Sequence, residues 1–78
     1  MQLTYDRDAN VAYLRLRERQ GDVETVDVNG DVAIDIDESG RVCGIEFLNA
    51  REQLGQTDDG RFVLVNPISG ETAELNVA

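Results

Sequence analysis

The chain has 78 residues, enough for one small domain and too few for two ordinary cores. Sixteen acidic residues against seven basic ones leave a net charge of -9, which disfavours nucleic acid, because binding to its backbone is driven by Lys and Arg displacing counterions. One cysteine excludes an internal disulfide, and with no apolar run of about 18 residues and no basic-then-apolar leader the expectation is a cytoplasmic domain without a membrane span.

Leu3 and Tyr5 alternate with Gln2 and Thr4, predicting a strand, and the stretch from Asp6 to Asn10 is dense in turn formers. From Val11 the period of two resumes. Ala12, Leu14 and Leu16 share the face predicted to meet the core, and Val11, Tyr13, Arg15 and Arg17 share the other. Gln20-Gly21-Asp22 breaks the chain before a third segment, in which Val26 and Val28 alternate with Thr25 and Asp27 while Val23 lies off that register. Asn29-Gly30 predicts a type I′ hairpin turn, since both residues tolerate positive φ and that turn matches the sheet twist.

Val32, Ile34 and Ile36 then alternate with Ala33, Asp35 and Asp37 as the cleanest amphipathic strand, and Glu38-Ser39-Gly40 turns the chain back. Between Arg41 and Leu48 the apolar positions Val42, Ile45 and Phe47 slip phase, which Gly44 accommodates as a β-bulge. Asn49 is the predicted N-cap of one short helical turn, Ala50 to Leu54, closed by Gly55. A polar loop from Gln56 to Gly60 precedes a hairpin built from Phe62 to Val65 and Thr72 to Val77, with turn signals at Asn66-Pro67 and Ser69-Gly70.

Short strands linked by brief turns, without repeats, predict a mainly β fold with one short helix near residues 49–54: an antiparallel meander curled into a half-barrel or packed sheet. Residues 1–54 form the main β core and residues 55–78 a C-terminal hairpin extension of the same domain. One short helix cannot cover the apolar side that so many strands offer, so a homodimer is expected.

The order Leu3-Thr4-Tyr5-Asp6, Ala12-Tyr13-Leu14-Arg15-Leu16, Val32-Ala33-Ile34-Asp35-Ile36-Asp37, Gly40-Arg41-Val42 and Gly44-Ile45-Glu46 resembles the domain of unknown function 2283 family over roughly residues 1 to 54. That resemblance implies a compact strand-rich fold of small prokaryotic proteins, with no catalytic residues to carry over. Asn10 stands where an acidic residue is usual. Small acidic proteins of such families often sit beside a gene for a basic partner, so the likeness also raises an antitoxin-like role in which the acidic surface neutralises a basic protein.

The chain has no histidine, which removes the commonest general base and transition-metal ligand, and Cys43 inside an apolar strand reads as a packing residue. An enzyme is not expected, and no cofactor is implied. Asp35-x-Asp37-x-Ser39-Gly40 followed by Glu46 fits the oxygen spacing of a calcium loop, so Asp35, Asp37, Ser39 and Glu46 are candidate metal ligands. Against that, the segment before the loop reads as a strand where a calcium loop needs a helix, and an acidic strand end closed by a Ser-Gly turn explains the same residues. Asp6 to Asn10 opens like a second such loop but lacks its glycine and closing glutamate. Asp27, Asp31, Asp35 and Asp37 cluster around one hairpin, either as a cation site or as the wet face of a strand pair. Arg15, Arg17 and Arg19 alternate, which in an extended strand makes a cationic stripe beside Tyr13. It would either pair with acidic residues of a neighbouring strand or grip a carboxylate or phosphate. The expected role is a non-catalytic, self-associating interaction module.

Overall fold

The computed structural model describes residues 1–54 and 61–76. Its first part is a five-stranded antiparallel sheet made of β1 (Gln2–Asp6), β2 (Val11–Arg15), β3 (Val23–Asp27), β4 (Val32–Asp37) and β5 (Val42–Leu48). A single-turn helix, α1 (Ala50–Leu54), follows, and β6 (Arg61–Val65) pairs with β7 (Thr72–Asn76) as a separate two-stranded sheet. The mainly β, antiparallel class with one short helix is therefore what the chain adopts, with no closed barrel among the described residues. Gly55 and the loop at 56–60 lie outside those residues, as does Val77.

The strand order departs from a sequential meander. It runs β1-β2-β5-β4-β3, so β2 pairs with β5 and the chain crosses the end of the sheet between β2 and β3. Three successive hairpin-linked strands, β3, β4 and β5, with the preceding β2 laid beside the last of them make a Greek-key arrangement. The crossing works because Leu16 and Arg17 both donate backbone N–H bonds to the Cys43 carbonyl, at 2.9 and 3.4 Å, while the Glu38 N–H bonds the Gln20 carbonyl at 3.1 Å.

Register sorts the side chains into two unlike faces. Leu3, Leu14, Ile45, Ile34 and Val26 are mutual cross-strand partners and form one apolar row across all five strands. Tyr5, Ala12, Phe47 and Val32 form the next row on the same face. The opposite face carries Thr4, Tyr13, Glu46, Ala33 and Asp27 in register. Cys43 marks the phase slip: Asp35 pairs with Gly44 but Ile36 with Val42, leaving Cys43 as the extra, 2% exposed residue of a bulge.

Two turns differ from the expected chemistry. Asn29-Gly30 closes the β3–β4 hairpin, but only Gly30 has positive φ, so the turn is not type I′. Its alternative is built by side chains: Asp27 Oδ1 accepts the Gly30 N–H at 2.7 Å and Asn29 Oδ1 accepts the Asp31 N–H at 3.0 Å. At the helix, Asn49 occupies the cap position with φ 49 and accepts at its carbonyl, yet the capping side chain belongs to Asn10. Asn10 Oδ1 accepts the Arg51 N–H at 2.8 Å, and its Nδ2 donates to Glu52 Oε2 at 2.8 Å. That donation, first among the causes, holds the Glu52 carboxyl below its ordinary value.

Asn10 itself sits at φ 57, where asparagine is tolerated and alanine is strained. Asn10→Ala is expected to cost about 2 kcal/mol, roughly half from the lost cap and half from the left-handed backbone. Asn10→Gly, which relieves the backbone, should lose about half as much. Urea denaturation of the two variants checks this, and equal losses would refute the partition.

Candidate functional site

The polar face gathers the functional side chains. Tyr13 on β2 leans diagonally over Gly44 on β5, and its hydroxyl donates to Asp35 Oδ2 on β4 at 2.7 Å. The Thr25 hydroxyl on β3 donates to the other oxygen, Asp35 Oδ1, at 2.6 Å. Three strands are thus tied through one half-buried carboxylate, each of whose oxygens accepts one of these hydrogen bonds. Burial first, and then donation to Asp35, push the Tyr13 hydroxyl up to about 12.

A tyrosine raised in the folded state contributes stability that is complete below its ordinary pKa and lost as pH climbs through the folded value. Stability is accordingly expected to decline between pH 10.0 and about 12. The chain has no lysine to crowd that limb. Urea midpoints measured across this range should fall for the wild type and stay flatter for Tyr13→Phe; parallel curves would contradict the assignment.

Asp37 lies at the far end of β4 with only 5% of its surface exposed. Its Oδ2 accepts the Gln20 N–H at 2.9 Å, and its Oδ1 accepts both the Ser39 N–H, at 2.9 Å, and the Ser39 hydroxyl. The Ser39 hydroxyl first, then the Gln20 N–H, hold the carboxyl below the usual aspartate range. Asp37 therefore fastens the crossing segment to the β4–β5 turn.

The four residues with calcium-loop spacing are placed accordingly. Asp35 is engaged by Tyr13 and Thr25, Asp37 by Gln20 and Ser39, and Ser39 donates its hydroxyl proton to Asp37. Glu46 stands on β5 in register between Tyr13 and Ala33. Among the described residues no group of three or more carboxylates or thiols is arranged to hold a metal ion. Asp27 is taken up by its own turn. Cys43 is buried, with its Sγ 3.5 Å from the Asp35 carbonyl.

The arginine stripe does come together. Arg15, Arg17 and Arg19 line a cavity of about 500 Å³ with Tyr13, Glu18, Asp35 and Cys43. The cross-strand ion pairs that were one expectation for these arginines do not form with any described residue. The one ion pair resolved among the described residues, Arg61 to Glu74 at 3.1 Å, is on the C-terminal hairpin. The Tyr13–Asp35–Thr25 bridge was not singled out from the sequence. Its only advance signal was a tyrosine on the wet face of β2 with a glycine three strands later.

The apolar face is open in the other direction. Phe62, Leu64, Ala73 and Leu75 of the hairpin share a cavity of about 330 Å³ with Leu3, Leu14, Phe47 and Leu54. Val63 and Val65 on the hairpin's other side are exposed, and Ile68 at its tip is 96% exposed. No helix of the described residues is long and apolar enough to cross a membrane.

A family model described as "Protein of unknown function (DUF2283)" matches residues 2–51, which takes in the whole five-stranded sheet and leaves the hairpin outside. No curated protein and no solved structure matches the chain.

Proposed function

From the premise that the chain belongs to the DUF2283 family, whose description assigns no activity, we propose that it is a non-catalytic interaction module that self-associates through its apolar sheet face. The observation that carries this reading is the five-strand row Leu3–Leu14–Ile45–Ile34–Val26, together with the burial it fails to achieve. The fully buried apolar residues are Ala12, Ala33, Cys43 and Ala50, and no large side chain is fully buried. Complete burial of a Leu, Ile or Phe stabilises by about 1.5–3 kcal/mol, so a sheet whose large residues all stay wet in part forgoes much of its driving force.

Glu24 is the one charged residue among the strand positions of the apolar face. A basic partner would find little to grip there, whereas a second copy brings an equally apolar surface and keeps both acidic exteriors in water.

Sedimentation at micromolar concentration tests the reading. The expected result is a species of twice the 8.6 kDa chain mass; a single species at the chain mass would defeat it.

A further inference from the structure

We propose that the cavity at the crossover end of the polar face is a binding site for a small oxyanion of the phosphate or phosphomonoester class, held by Arg15, Arg17 and Arg19. In a chain of net charge -9 with seven basic residues, three of them converge here. Local charge is inverted: three guanidiniums against the carboxylates of Glu18 and Asp35, which also line the cavity, leave a surplus of one positive charge. Asp35 takes its hydrogen bonds from Tyr13 and Thr25 and makes no ion pair with the arginines, so their N–H groups stay available although its charge counts in that sum. None of the three pairs with a described carboxylate.

The frame is fixed by bonds that the arginine side chains do not make. Leu16 and Arg17 are held to the Cys43 carbonyl, and Gln20 is clamped by Asp37 and Glu38, so the segment bearing Arg17 and Arg19 is anchored at both ends. Arg15 rises beside it from the end of β2. A volume of about 500 Å³ falls within the range of small-ligand sites. Guanidinium forks pair with planar or tetrahedral oxyanions through parallel N–H bonds, and three forks supply more donors than a monocarboxylate accepts. A phosphoryl group offers three strong acceptor oxygens and up to two negative charges, which suits the set. The site lies on the face opposite the apolar row, so it stands or falls independently of self-association.

Calorimetric titration of the full chain with inorganic phosphate at low ionic strength tests the proposal, with acetate at matched ionic strength as the carboxylate comparison. Saturable binding of phosphate, and none of acetate, is expected. Arg15→Gln combined with Arg19→Gln should weaken it by about tenfold or more. Arg7→Gln combined with Arg51→Gln removes the same charge from another surface and should leave the affinity unchanged, with far-ultraviolet dichroism confirming that both double variants fold. Absence of saturable heat at millimolar phosphate, equal binding of acetate, or equal losses in the two double variants would each overturn the proposal.

Discussion

Ile34→Asp is expected to convert the proposed dimer to monomer and to lower stability by about 3 kcal/mol or more. Ile34 is the fourth member of the five-strand row, flanked by Ile45 on β5 and Val26 on β3. A carboxylate there must be desolvated when two copies meet, and an isologous interface buries two of them. Each 1.4 kcal/mol, or about that, is tenfold in dissociation constant, so the monomer–dimer equilibrium should shift by two orders of magnitude or more. Thr4→Asp adds the same charge on the opposite face of β1, where Thr4 is exposed, and should leave the proposed dimer intact.

The wild type supplies a check that does not depend on the variant folding. A dimer that exists only between folded chains makes Tm rise with protein concentration, because association draws on the native state alone. A Tm independent of concentration, or an Ile34→Asp protein that remains dimeric, would end the argument. The hairpin sharpens it further. Its Phe62, Leu64 and Leu75 face the same sheet across a cavity while Val63 and Val65 stay exposed on its other side, so one layer of hairpin leaves apolar surface unresolved on both of its faces.

Local features of the fold were legible where local chemistry decides them. The alternation Val32–Ile34–Ile36 set which side of β4 is apolar, the slip between Val42 and Ile45 placed the bulge within one residue of Gly44, and the Asn66-Pro67 and Ser69-Gly70 signals bracketed the β6–β7 turn. Features that depend on distant pairing were not. Nothing in the period of β2 reveals that its neighbour is β5, because alternation reports a face and carries no information about partners. The helix cap illustrates the same limit: Asn49 has the right type at the right offset, yet Asn10 delivers the side chain because the β1–β2 turn ends beside α1.

The candidate site divides along the same line. Alternation predicted Arg15, Arg17 and Arg19 on one side of an extended strand; the three do line one cavity, but β2 ends at Arg15 and Glu18 lines that cavity with them, so the crossing segment and not strand alternation gathers them. Spacing also suggested oxygen ligands at Asp35, Asp37, Ser39 and Glu46. In the folded chain Asp35 accepts from Tyr13 and Thr25, and Asp37 accepts from Gln20 as well as from the neighbouring Ser39; all of these donors but Ser39 lie 10 to 22 positions away. Carboxylates on a strand are read correctly as wet or engaged only once the neighbouring strands are known.

Gly44→Ala brings that dependence to a single atom. A Cβ at Gly44 would overlap the hydroxyl and the Cζ carbon of Tyr13, far inside van der Waals contact. The backbone φ at Gly44 is not in the left-handed region, so alanine meets no torsional obstacle and the whole effect is steric. To relieve it the Tyr13 ring must swing off the sheet, which breaks the bond to Asp35 and leaves that half-buried carboxylate with Thr25 as its remaining side-chain donor. Overpacking of this kind costs about 1–3 kcal/mol, and the lost bond to a charged acceptor adds to it. Gly44→Ala is therefore expected to destabilise by about 3 kcal/mol. In the Tyr13→Ala background the same substitution should cost almost nothing, since the ring that it collides with is gone. A double-mutant cycle by urea denaturation measures the coupling. A small loss from Gly44→Ala alone, or an undiminished loss in the Tyr13→Ala background, would show that the glycine serves the bulge at Cys43 and not the tyrosine laid across it.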